Sequence, residues 1–179
     1  MKKVLIISSS PRRGGNSDTL CDRFMLGAKE AGHETEKIFL GDKTVNYCRG
    51  CGVCSEYGRA CPQKDDAAQI VDKMIRADVI VLATPVYFYT MSAQMKTLID
   101  RCCAEYRKIS GKRFYFILTA ADTDIASMQR TVESLRGFTD CLDDARECGV
   151  IYGTGAWKKG EIEDKPAMMQ AYRMGLEIR

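Results

Sequence analysis

Four thiols fall within fourteen residues of this sequence, in a segment that contains Cys48, Cys51, Cys54 and Cys61. Their spacing is C-x2-C-x2-C-x6-C, and the glycines between them let the backbone turn tightly around a common centre. Four such thiolates satisfy either a tetrahedral zinc ion or an iron–sulfur cluster. Three closely spaced cysteines with a fourth further on favour a [4Fe–4S] cluster over zinc. Thiols without a metal, free or acting as a redox pair, remain the alternative.

A second group of polar residues forms the stretch SSSPRRGGNSDT, residues 8–19, which follows the first apolar run of the chain. Hydroxyls, glycines and free amides at the start of a helix form an anion site, for which phosphate is the natural ligand. Arg12 adds a charge-assisted hydrogen-bond donor. Neither a dinucleotide G-x-G-x-x-G pattern nor a Walker pattern is present. The alternative is that Asn16 or Ser17 only caps the helix and the glycines only turn the chain.

Alternating apolar patterns define the elements that position these residues. Five short apolar runs are typical of buried strands, at residues 4–8, 35–40, 79–83, 114–119 and 149–152. Apolar residues recur at helical spacing between the strands, and a final helix is expected to begin near Pro166. The alternation predicts an α/β fold, with a parallel sheet between two layers of helices. We expect a single domain of residues 1–179, with a cysteine-rich insert at 47–62.

Composition and charge argue against several function classes. The chain has 27 Lys and Arg residues against 24 Asp and Glu, a net charge of +3, without the basic run that nucleic-acid binding favours. The apolar run 4–7 is shorter than the core of a secretion signal, and no apolar stretch has membrane length. A cytoplasmic protein is therefore expected, in which thiols stay reduced and serve metal or redox chemistry.

The aromatic stretch TPVYFY, residues 84–89, ends the third apolar run. A flavin ring needs a flat apolar wall and nearby backbone amides, and Tyr87 and Phe88 are able to supply that wall. The alternative is that these aromatic residues only cover the end of the core.

Together the two loops resemble those of the NAD(P)H-dependent FMN reductase branch of the flavodoxin-like superfamily. The stretches SSPRRGGNSDT and TPVYFYTMSAQMKTLIDR occur in the family's order, and the resemblance covers about residues 3–125. It implies a flavodoxin-like three-layer sandwich with five parallel strands in the order 2-1-3-4-5. It also implies FMN as cofactor and NAD(P)H as co-substrate, with no protein group as catalytic acid or base. The implied phosphate ligands are Ser10, Arg12, Asn16, Ser17 and Thr19, and the implied ring contacts are Pro85, Val86, Tyr87, Phe88, Tyr89, Thr119 and Ala120.

The cysteine motif is similar to that of the iron–sulfur flavoproteins, a subgroup of the same family, which implies cluster ligation by all four thiols. It fits equally a looser cysteine pattern of flavin reductases in which no cluster is demonstrated. The other five cysteines are expected mostly in the core. Lys96 and Asp100, four residues apart, are expected to pair along one helix face. The single histidine, His33, is not expected to take part in catalysis.

These inferences predict an FMN-dependent NAD(P)H oxidoreductase. It would deliver electrons in pairs to a quinone or another small acceptor, or singly through a [4Fe–4S] cluster, with ferredoxin as an alternative electron donor. By resemblance, a homodimer or homotetramer is expected. Two alternatives stay open: an electron carrier of the flavodoxin kind, against which the positive charge argues, and a metal-binding or thiol-redox protein on a flavodoxin scaffold.

Overall fold

The sheet has six strands, all described by a computed structural model that covers residues 1–179. Their order is β2-β1-β3-β5-β6, with all five parallel and a short β4 paired antiparallel to the end of β3. This order confirms the predicted arrangement of five parallel strands, whereas the predicted total of five is one strand short. The strands are β1 (Lys3–Ser8), β2 (Glu34–Phe39), β3 (Val79–Tyr87), β4 (Thr90–Met91), β5 (Arg113–Thr119) and β6 (Arg146–Gly153).

Helices cover both faces of the sheet, which confirms the three-layer α/β architecture. Side chains of the first and last helices pack in the core on one face, and those of the other three pack in the core on the opposite face. None of the helices has the length and apolar character needed to cross a membrane. The helices are α1 (Asn16–Glu30), α2 (Ala67–Arg76), α3 (Ala93–Arg101), α4 (Gln129–Thr139) and α5 (Pro166–Leu176).

Strand β1 shows why the central strands are apolar without alternation. Val4 and Ile6 pack in the core beneath α1 and α5, whereas Leu5 and Ile7 pack in the core on the other face. Successive side chains of a strand point to opposite faces, so a strand covered on both sides must be apolar at every position. The same reasoning locates β3 and β5 from the sequence.

Helices α1 and α5 cross at two glycines. A Cβ atom on Gly27 would lie 2.1 Å from the carbonyl oxygen of Tyr172, and one on Gly175 would lie 2.1 Å from the carbonyl oxygen of Phe24. Neither contact is sterically allowed, so only glycine lets the two backbones approach this closely. Because α1 begins at the candidate anion loop, this packing also fixes the position of that loop.

We expect Gly175→Ala to lower the free energy of unfolding by about 1–3 kcal/mol, the usual cost of overpacking a close contact. In an uncrowded helix the same substitution is stabilising, by about 1 kcal/mol. Gly137→Ala in α4 is the matched control, because nothing lies within 4 Å of a Cβ atom at that position. Urea unfolding of both variants measures the difference. Equal stability of the two variants would contradict the packing argument.

Candidate functional site

The carboxyl ends of the parallel strands meet at one edge of the sheet and open into a cleft of about 330 Å³. The strand register places Ser8 beside Ala83, Pro85 beside Thr119, and Thr119 beside Gly153. The loops that follow these strands therefore converge on the cleft. This is the edge at which open α/β sheets bind their ligands.

The start of α1 forms the donor-rich part of the cleft. The backbone amides of Asn16, Ser17 and Asp18 have no acceptor in the protein, and the hydroxyl of Ser17 is buried without a partner. Gly15 occupies the N-cap position, and no side chain caps the helix. Asn16 and Ser17 therefore do not serve as caps. Unpaired donors at the positive end of a helix dipole fit a phosphate group.

A tight turn shapes this part of the cleft. The Ser10 hydroxyl donates to the carbonyl oxygen of Arg12 at 2.8 Å and accepts from the backbone amide of Arg12 at 3.2 Å. The amide of Gly15 donates to the same Arg12 carbonyl oxygen at 2.8 Å. A Cβ atom on Gly15 would lie 2.6 Å from Ser10 Oγ, so the turn leaves no room for a side chain there.

A carboxylate lies in the same turn and is neutralised within the protein. Asp18 is 2% exposed; its Oδ2 accepts from the amide of Gly14 at 2.8 Å, and its Oδ1 lies 3.1 Å from Lys37 Nζ. The Lys37 ammonium also contacts Asp22, at 2.5 Å. Burial lowers the pKa of Lys37, but the hydrogen bonds to Asp22 and Asp18 outweigh it and raise that pKa overall. Lys37 therefore stays charged and offsets the Asp18 carboxylate beside the free amides.

Buried hydroxyls fix the first loop against the end of β3. The hydroxyl of Ser9 donates to the carbonyl oxygen of Ala83 at 2.8 Å, and the hydroxyl of Ser92 donates to Ser9 Oγ at 2.9 Å. The backbone amide of Ser92 donates to Thr84 Oγ1 at 2.9 Å. A satisfied network of this kind is rigid, so the two loops keep their relative geometry before a ligand binds.

The structure brings nine of the twelve predicted cofactor-binding residues to the cleft. The three exceptions are Thr19, within α1, and Phe88 and Tyr89, between β3 and β4, which do not line the cleft. Tyr87 is thus the aromatic residue of the TPVYFY stretch that lines the cleft. The nine are Ser10, Arg12, Asn16, Ser17, Pro85, Val86, Tyr87, Thr119 and Ala120.

Phe88 and Tyr89 form the two-residue turn between β3 and β4. Their φ angles are 49° and 63°, in the left-handed region that side chains rarely adopt. Hairpin turns of this geometry usually contain Asn and Gly, so two bulky aromatic residues here are conformationally strained. Phe88 is fully exposed at the tip of the turn.

A fourth loop, after β6, completes the cleft with Ala156 and Trp157. Arg12 Nη2 donates to the carbonyl oxygen of Trp157 at 3.2 Å. Asn16 Nδ2 donates to the carbonyl oxygens of Ala156 and Lys158, at 3.1 and 3.0 Å. The sequence-based prediction did not include this loop. The only tryptophan of the chain, four residues beyond the end of β6, is the signal in the sequence that points to it.

The cysteine segment, residues 47–62, lies between β2 and α2 and contains no helix or strand. Its three glycines have φ angles of 60° to 72°, so each adopts the left-handed conformation that glycine favours. The thiols of Cys48 and Cys51 are exposed, and those of Cys54 and Cys61 are half-buried. No three His, Cys, Asp or Glu side chains are grouped closely enough to hold a metal ion. The donor types fit an iron–sulfur cluster, but the four thiols must move together to bind one.

The remaining cysteines differ from the prediction that most lie in the core. Cys21 and Cys102 are buried, but Cys103, Cys141 and Cys148 are exposed, so that prediction is wrong. Cys103 lies next to the cysteine segment. Burial, followed by the charge and hydrogen bonding of Cys54, raises the pKa of the Cys103 thiol.

Three further residues singled out in the sequence have structural contacts outside the cleft. Lys96 and Asp100 form the predicted ion pair along α3. His33 accepts a hydrogen bond from the amide of Lys2 at Nδ1, at 3.2 Å, and its Nε2 lies 3.2 Å from the carbonyl oxygen of Ile178. His33 therefore connects the start of β1 to the C-terminal end of the chain.

The strand order, the candidate anion loop after β1 and the cleft at the carboxyl edge are those of a flavodoxin-like fold. The solved NAD(P)H:quinone oxidoreductase from Methanothermobacter marburgensis has the same architecture, with a TM-score of 0.75 and 18% identity over 98% of this chain and 96% of that one. An FMN-dependent NADH-azoreductase from Bacillus anthracis, solved in complex with FMN, has a TM-score of 0.69 and 16% identity over 99% and 97% of the two chains. At these identities the likeness shows the fold alone.

Sequence comparison assigns the chain to one family within this fold. The family model of NADPH-dependent FMN reductases matches residues 2–143, and the chain belongs to this family. An iron–sulfur flavoprotein from Methanocaldococcus jannaschii is 48% identical over 99 residues, which are 55% of this chain and 51% of that protein. One from Methanosarcina thermophila is 39% identical over 106 residues, 59% and 55% of the two chains. The chain therefore spans about half the length of these curated relatives. The family expected from the loop motifs is confirmed.

Proposed function

We propose that this chain binds FMN in the cleft and acts as an NAD(P)H oxidoreductase. The observation that carries the proposal is the set of unpaired donors at the start of α1, the amides of residues 16–18 and the hydroxyl of Ser17. A flavin phosphate is an acceptor of the charge and size that this set requires. Family membership supports the same cofactor.

The other residues of the cleft orient the flavin ring and its partner. Pro85, Val86 and Tyr87 line the cleft from the end of β3, and Ala120 and Trp157 line it from the loops after β5 and β6. When bound, FMN supplies hydride acceptance from NAD(P)H and electron release in pairs or singly. No carboxylate, imidazole or thiol lines the cleft. Such a lining suits a reaction that depends on stacking geometry rather than on a protein acid or base.

The cysteine segment is the second part of the proposal. Cys48, Cys51, Cys54 and Cys61 would hold a [4Fe–4S] cluster, which would supply one-electron transfer. Two similar proteins, each named an iron–sulfur flavoprotein, support the presence of a cluster. The proposed electron acceptor is a quinone or another small molecule, and a reduced protein of the ferredoxin kind is the proposed alternative to NAD(P)H as electron donor. A homodimer or homotetramer is part of the proposal.

A second candidate is a thiol redox centre without a metal. Exposure of Cys48 and Cys51 and the absence of a gathered set of ligands favour it. It differs from the first candidate in iron content, and it makes no different demand on the residues of the cleft. The two candidates therefore share the FMN site and separate at the cysteine segment.

The test is an absorption spectrum of anaerobically purified protein, with iron and acid-labile sulfide assays on the same sample. We expect flavin bands and about four irons and four sulfides per chain. Cys51→Ser should lose the iron and keep the flavin, whereas Cys141→Ser, at an exposed cysteine outside the segment, should keep both. Flavin without iron favours the thiol centre, and absence of flavin overturns the proposed function.

We expect Lys37→Met to weaken FMN binding about tenfold and to leave riboflavin binding unchanged. Without the Lys37 ammonium, the Asp18 carboxylate beside the free amides is no longer neutralised and repels the phosphate. A tenfold loss corresponds to about 1.4 kcal/mol. Titration of each ligand into the flavin-free protein measures both affinities. Lys73→Met, which breaks an ion pair with Glu36, is the control, and an equal loss for riboflavin would contradict the electrostatic explanation.

A further inference from the structure

A buried ion pair lies at the base of the cysteine segment. Arg101, at the end of α3, and Asp65, just before α2, have side chains that are 2% and 1% exposed. Arg101 Nη1 donates to Asp65 Oδ2 at 2.6 Å, and Arg101 Nη2 donates to Asp65 Oδ1 at 3.0 Å. A bidentate contact of this kind fixes the orientation of both side chains.

The same pair holds the other end of the segment. Asp65 Oδ2 accepts hydrogen bonds from the backbone amide of Asn46 at 2.9 Å and from its Nδ2 at 3.1 Å. Arg101 Nη1 donates to the carbonyl oxygen of Asn46 at 2.8 Å. Asn46 and Asp65 flank the cysteine segment, so the ion pair closes it into a loop with fixed ends.

One donor of the pair reaches a thiol. Arg101 Nη2 lies 3.5 Å from Cys61 Sγ. The amide of Gly50 also donates to Cys48 Sγ at 3.5 Å, but this contact is local and exposed. Cys61 is therefore the thiol of the four that a buried cation holds. Hydrogen bonds to cluster sulfurs are one of the means by which proteins set cluster reduction potentials.

We propose that Arg101 is a positioning residue for the cysteine segment, which holds Cys61 in place as a ligand and raises the reduction potential of the cluster. The second half of this inference rests on the proposed cluster. A hydrogen bond from the Arg101 guanidinium to a ligand sulfur favours the reduced cluster, because reduction adds negative charge that the donor stabilises. The first half rests on the contacts of Arg101 alone and applies to the protein without iron.

The test uses Arg101→Lys, with Arg76→Lys as a matched control at an exposed arginine that pairs with Asp72. The Arg101→Lys side chain keeps the positive charge opposite Asp65 but lacks the second nitrogen, Nη2, which donates to Cys61. Two quantities are measured in each variant. They are the midpoint potential of the cluster in the anaerobic holoprotein, and the hydrogen exchange of residues 46–65 in the iron-free chain.

In Arg101→Lys we expect the ratio of reduced to oxidised cluster at a fixed potential to fall about tenfold, or about 59 mV for a one-electron couple. Exchange of residues 46–65 should become faster than in Arg76→Lys. Loss of iron with FMN retained also supports the inference, because Cys61 is then no longer held. A full cluster with unchanged potential and unchanged exchange overturns it.

The two measurements distinguish failure of this inference from absence of the proposed cluster. If the wild-type chain binds no iron, the exchange measurement alone decides, and unchanged exchange in Arg101→Lys overturns the positioning role. If Arg101→Lys does not fold, the double variant Asp65→Asn, Arg101→Gln takes its place. Its two neutral amides are able to pair with each other, but no charge remains beside Cys61.

Discussion

Gly15→Ala is expected to weaken FMN binding about 100-fold, or about 3 kcal/mol, without unfolding the protein. A Cβ atom at this position would lie 2.6 Å from Ser10 Oγ and 2.8 Å from the carbonyl oxygen of Arg12, so the turn must open. Opening displaces the free amides of residues 16–18 from the phosphate. The expected loss equals that of one or two hydrogen bonds to a charged group.

Backbone strain does not explain the expected effect, because Gly15 has φ −70° and ψ 166°, which alanine adopts freely. Fluorescence titration with FMN and with riboflavin measures the change, and riboflavin should lose less because it lacks the phosphate. Gly137→Ala serves again as the control, since its Cβ atom meets nothing within 4 Å. A folded Gly15→Ala protein with wild-type FMN affinity would contradict the phosphate site.

The sequence predicts the central strands well because their burial on both faces makes every residue apolar. It predicts the edges less well. Strand β6 begins at Arg146 rather than at residue 149, since its first residues pair with β5 but remain exposed. The short β4 is missed because its turn contains Phe88 and Tyr89 instead of the glycine or asparagine that normally indicates a hairpin. The ends of strands at a sheet edge are determined by backbone hydrogen bonds more than by burial. The pattern of apolar residues in the sequence reports burial alone.

The parts of the candidate site also differ in how well the sequence predicts them. The donor loop at α1 is predicted from its composition, because so many hydroxyls and glycines directly before a helix are typical of an anion site. The loop after β6 is not, because Ala156 and Trp157 acquire their place only when β6 aligns with β5. The contact of Arg101 with Cys61 joins residues 40 positions apart. No local pattern predicts a contact at that separation.

Arg101→Met is expected to cause the largest loss of stability of any substitution considered, about 3–5 kcal/mol. It leaves the Asp65 carboxylate, 1% exposed, without its cation. An exposed pair such as that of Arg76 with Asp72 contributes about 1 kcal/mol at most, so Arg76→Met is the matched control. Urea unfolding at pH 7 measures both. A loss in Arg101→Met no larger than in Arg76→Met would show that the buried pair does not hold the two ends of the cysteine segment.

The same pair predicts how stability depends on acid. Burial alone raises the pKa of Asp65, but the hydrogen bonds from Arg101 and from the amides of Asn46 and Ala67 outweigh it and lower that pKa from 3.8 to about 2. A carboxyl whose pKa is lower in the folded state stabilises the fold above its unfolded pKa, and this stabilisation is lost as pH falls through the folded value. About 2 kcal/mol should therefore disappear between about pH 4 and pH 2.

Asp65→Asn removes this titration, so its unfolding free energy should be lower than that of the wild type at pH 7 and should fall less between pH 4 and pH 2. The comparison cancels the other carboxyl groups, which titrate alike in both proteins. Asp72→Asn, at an exposed pair, should follow the wild-type pH profile. Parallel profiles for Asp65→Asn and the wild type would mean that Asp65 is not held ionised by Arg101. The closed ends of the cysteine segment would then depend on their other contacts, the paired hydrogen bonds between Thr44 and Asp66 and the hydrogen bond from Gln63 Nε2 to the carbonyl oxygen of Tyr47.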